Sequence, residues 1–245
     1  MKLIEEHPLK MSKISKELDL PVQETSRQLN RLVKVKLVTK NIEGSYIITT
    51  MGKNMLDILP SYQFLSEHFD YFNNYVFLDL PRKFRSRIGE LRSCSTVNSI
   101  LVTFANIEKI VQEAEEYIYC MYDQRLLSSQ AYFLVNDAFH RGVEMKLIEA
   151  SGYSAPSEVY DKVPKEIALS IIQHRLNGVK KDKVLPKINL SLFMSEKEVA
   201  LLSFPTSDGK FDYVGFTSTD NLFRAWCLDV HQHYWKQAKV RTNYD

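Results

Sequence analysis

The chain has 245 residues, 44% of them hydrophobic and 25% charged, with eight Gly, eight Pro and a net charge of +2; one large or two modest soluble domains are expected. It contains no 18-residue apolar run and no signal-peptide apolar core, which argues against a membrane span and a secretory leader. Cys94, Cys120 and Cys227 are far apart and odd in number, which argues against a disulfide framework and favours a cytoplasmic location.

The first ten residues, MKLIEEHPLK, are too few for a full helix; Leu3 and Ile4 are expected to end one and Pro8 to close it. Residues 11–18 follow with Met11, Ile14 and Leu18 at amphipathic spacing. Asp19 and Leu20 make a turn, and Pro21 suits the first position of a second helix, where its missing N–H costs nothing. That helix is expected to run to 34–36. Val22, Leu29, Leu32 and Val33 gather on one side with Thr25 between them, and Gln23, Arg27, Asn30 and Lys34 gather opposite, with Glu24 at the margin. Leu37 and Val38 then open a β-hairpin centred on Gly44, with a return strand over 46–49.

Arg, Asn, Gln and Lys are the side chains that reach base edges and phosphates in a major groove. Residues 1–60 carry ten Lys/Arg against seven Asp/Glu, a slightly basic head on a nearly neutral body. Residues 1–56 are therefore expected to form a winged helix-turn-helix domain that binds double-stranded DNA. Gln23, Arg27 and Asn30 would read bases and Ser26, Arg31 and Lys34 would flank them, with Ser26, Lys34 and Lys40 on phosphates. Lys40, Asn41 and Tyr46 would supply backbone contacts from the wing.

Residues 57–80 are expected to form a helical linker. Over 50–77, Met51, Met55, Ile58, Tyr62, Leu65, Phe69, Phe72 and Val76 recur at spacings of three and four, and Pro60 should kink the helix or start a second one. This stripe is either a homodimer seam or a face packed on the second domain. Residues 81–245 are expected to be α/β. PRKFRSRIGEL reads as a short helix whose Arg82, Lys83, Arg85 and Arg87 form a solvated face. A helix with Phe104, Ile107, Ile110, Val111 and Ala114 leads to a strand over 117–122. A Ser128-capped helix with Ala131, Leu134, Val135, Ala138 and Phe139 stops at Arg141-Gly142, and Val143, Met145 and Leu147 alternate as the next strand. Together these make a right-handed parallel βαβ unit. A helix over 164–176, hairpin strands over 188–194 and 199–204, a strand over 211–216 and a last helix follow. The last helix has a Thr219 cap and a face of Leu222, Phe223, Trp226, Cys227, Val230 and Tyr234.

Three stretches then show a likeness. MSKISKELDLPVQETSRQLNRL resembles winged-helix regulators of archaea. PRKFRSRIGEL, NIEKIVQEAEEYIYCMYD and AFHRGVEMKLIEAS together resemble the methanogenesis-regulator middle domain. GFTSTDNLFRAWCLDVHQHYWKQA is similar to the end of that family and of TrmB-type sugar-responsive regulators. The resemblance implies an α+β winged helix-turn-helix head joined to an α/β effector domain of degenerate phospholipase D-like fold. Phospholipase D chemistry uses a His nucleophile with Lys two residues on, and none of the six His residues is so followed. No catalytic residue, metal site or cofactor is therefore expected, and the chain reads as a transcription regulator rather than an enzyme.

Ligands of parallel α/β sheets sit beyond the carboxyl ends of strands. A small-molecule effector would there meet Tyr122, Asp123, Gln124, Glu149, Ser151, Thr217 and Ser218. Three alternatives stay open. One is a phospholipase D-fold hydrolase or nuclease tethered to DNA, and another an architectural protein without an effector. The third is a metal-responsive repressor built on Cys227 and His231, four residues apart, with His233 nearby; a buried Cys and surface His residues are the plainer reading there.

Overall fold

A computed structural model describes residues 1–124, 129–151 and 163–241. The chain divides into two compact units, Met1–Ser66 and Glu67–Asp245. The span 57–80 is shared between them.

The first unit opens with a 3-10 turn (Lys2–Ile4), then α1 (Met11–Glu17), α2 (Val22–Lys34), β1 (Val38–Lys40), β2 (Tyr46–Ile48) and α3 (Thr50–Glu67). Its core is Ile4, Ile14, Leu29, Val38, Tyr46, Ile48 and Leu56, each burial worth about 1.5–3 kcal/mol over exposure. Both helix ends at the turns are shaped by single residues in the left-handed region, Asp19 (φ 50°) and Lys36 (φ 58°). At the first, Leu20 N–H reaches back to Ser15 O and Asp19 N–H to Lys16 O. At the second, Leu37 N–H reaches Leu32 O and Lys36 N–H reaches Val33 O. This 6→1 and 5→2 pairing satisfies the terminal carbonyls and stops each helix.

Three expectations need correction here. Pro21 is the N-cap, not the first helical residue, and its carbonyl accepts from Thr25 N–H and Oγ1. Leu18, Val22 and Val33 are exposed: the first two flank the turn, beyond the reach of the core, and Thr25 and Leu29 take the buried places on α2. Of the two alternatives at Pro60, a second helix does not start there: the helix runs on through it, and the next one starts only at Phe69. Gly52, in the first turn of α3, lies hard against the end of the hairpin. A Cβ there would overlap the Leu37 carbonyl oxygen and come within 2.6 Å of Ile48 Cγ1.

The second unit contains α4 (Phe69–Asn74), α5 (Arg82–Arg85), a 3-10 turn (Ile88–Arg92), β3 (Ser95–Val97), α6 (Ile100–Glu113), β4 (Tyr117–Tyr122), α7 (Ser129–His140) and β5 (Glu144–Ala150). It continues with α8 (Lys165–Leu176), β6 (Lys180–Leu185), β7 (Ser191–Ser195), β8 (Val199–Ser203), β9 (Gly215–Ser218), α9 (Asn221–Gln237) and β10 (Lys239–Val240). Among the described residues the strands form one eight-stranded mixed sheet, ordered β10-β6-β5-β4-β7-β8-β9-β3. β4, β5 and β6 are parallel, as the strand–helix–strand spacing requires, and the other pairings are antiparallel. Gly142, at φ 88°, turns the chain from α7 into β5.

The predicted strand over 211–216 is displaced, because Tyr213 sits at φ 60° and interrupts an extended path. The last helix is capped by Asp220, not Thr219: its carboxylate accepts from Leu222 N–H (2.9 Å) and Phe223 N–H (3.0 Å). Leu222 is accordingly exposed at the first turn while Phe223, Trp226, Cys227, Val230 and Tyr234 are buried. The expected Ser128 cap lies outside the described residues. In the basic stretch after Leu80, Phe84, Ile88 and Leu91 are buried, and Arg87 is tied to Glu90 (2.8 Å) and Asp229 (2.7 Å).

Candidate functional site

The first unit presents one face rich in hydrogen-bonding cations and amides. At the helical period Gln23, Arg27, Asn30 and Lys34 fall within about 60° of one another, and all four are exposed, as is Arg31. Ser26 is half-buried at the flank. The opposite side anchors α2 through Thr25 and Leu29, so the polar face is held by a packed helix of thirteen residues rather than by a loop. Glu24 does more than border this face. It pairs with Arg27 at 2.6 Å and accepts from Gln28 Nε2 at 2.6 Å. The Gln28 and Arg27 side chains hold its carboxyl below the usual range.

The hairpin contributes less than the sequence suggests. Tyr46 is buried and its ring lies under Lys40, whose Nζ is 4.9 Å from the ring centroid. Its side chain is thus a support and not a contact surface. Asn41 is the loop's brace: its Oδ1 accepts from Ser45 N–H (2.8 Å), and its carbonyl accepts from Gly44 N–H (3.0 Å). The tip carries the wholly exposed Ile42 and the acidic Glu43. Lys40 remains the hairpin's exposed cation.

In the second unit a cavity of about 390 Å³ lies against β4, β5 and β6 under α6, α7 and α8. The parallel register lays its sheet wall out in rows. Ile118, Met145 and Lys180 are neighbours in one, and Cys120, Leu147 and Asp182 in the next, with Phe193 of β7 beside Cys120. Tyr122, Glu149 and Val184 form the third. The first two rows are thus apolar along β4 and ionic at β6, while in the third the ionic residue is Glu149 on β5. Asp182 is buried and accepts from Arg175 Nε at 2.7 Å and from Lys180 Nζ. Burial pushes its carboxyl up, but Lys180 and Arg175 outweigh burial and leave it below the usual range. Glu149, equally buried, accepts from Tyr122 OH at 3.2 Å and pairs with Arg241.

The seven residues expected to meet an effector do not converge. Tyr122 lines the cavity, and Glu149 lies behind it, bonded to Tyr122 and Arg241. Asp123 and Gln124 instead bond Tyr213, whose OH donates to Asp123 Oδ1 at 2.7 Å and to the Gln124 carbonyl at 3.3 Å. Ser151 is exposed, with its N–H on Leu185 O. Thr217 and Ser218 are on β9, which runs opposite to β4, so its carboxyl end points to the other end of the sheet. There Thr217 Oγ1 donates to Val199 O and Ser218 Oγ to Ser93 O. The cavity's Arg175, Lys180 and Arg241 were not anticipated. Arg175 and Lys180 carried one available signal: with Asp182 they place three charges within eight residues around a strand.

Cys227 and His231 are both buried, which corrects the expectation of a surface His231. His231 lies between Tyr119 and Trp235, with ring centroids 4.9 and 5.9 Å away. Burial pushes its pKa down to about 4. His233 faces elsewhere, toward Lys83 (3.0 Å) and Gln237 (2.8 Å). Among the described residues no group of three or more His, Cys, Asp or Glu is placed to hold a metal. No helix among them is long and apolar enough to cross a membrane.

No protein-family model matches the sequence, and no curated protein matches it. Among solved structures the chain is similar to TrmBL2, described as an archaeal chromatin protein with a novel mode of DNA binding. That match has 15% identity and a TM-score of 0.45, over 95% of this chain and 88% of that one. It is also similar to NucT from Helicobacter pylori, at 10% identity and TM-score 0.42 over 61% of this chain and 98% of that one. A third is Nuc from Salmonella typhimurium, a phospholipase D family member, at 13% identity and TM-score 0.38 over 57% of this chain and 90% of that one.

Proposed function

We propose that the chain is a DNA-binding transcription regulator whose first unit is a winged helix-turn-helix. The observation that carries this reading is the arc of Gln23, Arg27, Asn30 and Lys34 on α2, all exposed. A helix of this kind, following a tight turn and preceding a hairpin, is suited to lie in a major groove. Arg27, Asn30 and Gln23 reach base edges, and Lys34, Ser26 and Lys40 reach phosphates. Without DNA, Glu24 occupies Arg27, and binding exchanges that carboxylate for a base or phosphate.

In this reading the protein works as a homodimer seamed along α3. Met51, Met55, Ile58, Leu59 and Tyr62 are exposed large side chains on one face of the helix, and contiguous exposed apolar surface marks interaction sites. The second unit is a sensor of phospholipase D-like architecture without catalysis. A ligand favouring one arrangement of the dimer would change the spacing of the two heads and so the affinity for a two-half-site operator. The test is titration of the full chain into labelled double-stranded DNA recovered by selection from a random pool. Arg27→Ala should weaken binding of the selected site by about 1–3 kcal/mol. Undiminished binding by that variant, or selection yielding no enriched sequence, refutes the assignment.

A further inference from the structure

The cavity of the second unit is walled by strands and helices whose backbone polar groups bond one another. Its volume of about 390 Å³ falls within the roughly 300–1,000 Å³ of small-molecule sites. Ile107, Ile110, Ile118, Val135, Leu147 and Phe193 contribute to its lining. β4, β5 and β7 each lie between two hydrogen-bonded neighbours, so their amides and carbonyls bond along the sheet and not into the cavity. α6, α7 and α8 bond their own backbones in the same way. Cys120 also lines the cavity, and burial keeps its thiol neutral by pushing its pKa up to about 12.

The charged side chains at its edge are engaged within the protein. Arg175 and Lys180 both pair with Asp182. Arg241 pairs with Glu149, and its N–H donates to the Asp182 carbonyl at 3.2 Å. Tyr122 OH donates to the same Glu149. An ionised ligand would have to break a buried pair to be met, which is costly. A sugar would press hydroxyls against side chains that cannot bond them. Water is little better served: the volume is the share of roughly a dozen molecules at ~30 Å³ each, and each needs about two to four polar partners. An apolar molecule gives up no hydrogen bond on entering and gains by leaving water. α8 adds Ile171, half-buried, and Ile172, exposed, so the apolar lining continues along that helix toward the protein surface.

We infer that the cavity binds a neutral, predominantly apolar molecule, seated between β4, α6 and α7 and leaving the ion pairs intact. Its size is about 13–18 heavy atoms, somewhat more than the number of water shares because covalently bonded atoms sit closer together. Taking this ligand as the effector rests on the regulator reading above, but its binding does not and is measured without DNA.

The experiment titrates the full chain with two fluorophores of matched shape: phenylnaphthylamine, which is neutral, and anilinonaphthalene sulfonate, the same rings carrying a sulfonate. The neutral probe is expected to bind with enhanced, blue-shifted emission, at least about ten-fold more tightly than the anion. It should also raise the melting temperature with concentration. Ala168→Phe and Ile171→Trp each add bulk inside the cavity at a partly exposed helical position. Each should weaken the neutral probe at least about ten-fold while circular dichroism stays that of the wild type. An anion bound as tightly as the neutral probe, no neutral binding up to the probe's solubility, or binding that survives both substitutions in folded variants would each overturn the inference. If the neutral probe binds as described but leaves DNA affinity unchanged, the site stands and the sensor reading falls. If Arg27→Ala leaves DNA binding unchanged, the DNA-binding reading falls and the cavity result is untouched.

Discussion

Leu9 and Tyr46 exchange both backbone hydrogen bonds: Leu9 N–H donates to Tyr46 O at 3.1 Å, and Tyr46 N–H donates to Leu9 O at 2.8 Å. A residue two positions before α1 thereby pairs with β2 and ties the start of the chain to the hairpin. Leu9→Pro removes one of the two donors, and a buried carbonyl left without its partner costs about 1–3 kcal/mol. Amide exchange should accelerate across β1 and β2 and stay unchanged in β4 and β5. Unaltered protection in the hairpin would show that this pairing is dispensable.

Glu24 pairs with Arg27, and in the proposed DNA-binding role it competes with DNA for it. Glu24→Gln should therefore strengthen binding to the selected DNA site, and Arg27→Ala should lose most of that gain when the two are combined. A double-mutant cycle on binding affinity measures this coupling. Strictly additive effects would mean that the 2.6 Å pair plays no part in recognition.

Exposed apolar residues on α3 predict an assembly state. The protein should behave as a dimer in sedimentation, and Ile58→Asp, which places a charge in the middle of the stripe, should make it a monomer with its melting temperature little changed. A wild-type monomer at micromolar concentration would exclude the seam.

His231 predicts an acid dependence. Its pKa falls from 6.5 in the unfolded chain to about 4 in the fold, mainly through burial, with the Lys146 charge adding to the decrease. Above pH 6.5 the group is neutral in both states and its burial carries no protonation penalty. As the pH falls from 6.5 toward 4 the unfolded chain takes up a proton that the fold refuses, and stability drops by up to about 3 kcal/mol. His231→Phe keeps an aromatic ring between Tyr119 and Trp235 and should flatten the denaturant-midpoint curve over that range. An unchanged slope would place the acid sensitivity in the carboxylates.

Much of this architecture was legible because its signals are local. The face of α2 follows from helical period, and the β4–α7–β5 unit follows from the alternation of Val143, Met145 and Leu147 after the Arg141-Gly142 stop. β6 was not legible. Its sequence, KKDKVL, has four charged residues in six, and a period-two hydrophobic pattern cannot flag a strand whose inward residues are Lys180 and Asp182. Those charges are tolerated inside because they pair with each other and with Arg175, a tertiary fact. The cavity escaped for the same reason. Its cations come from a helix, a strand and the segment after β10, and only the parallel register brings them to one wall. Thr217 and Ser218 do not join Tyr122 at one end of the sheet, because the carboxyl-end rule brings parallel strands together and β9 runs the other way.

Gly52 has a mechanical consequence. With no room for a Cβ between α3 and the Leu37 carbonyl, the first turn of α3 and the base of the hairpin fit together like a shaft keyed into a collar. The contact leaves the helix and the hairpin base no free space at this point. Gly52→Ala would force that joint open, by about 1–3 kcal/mol of overpacking.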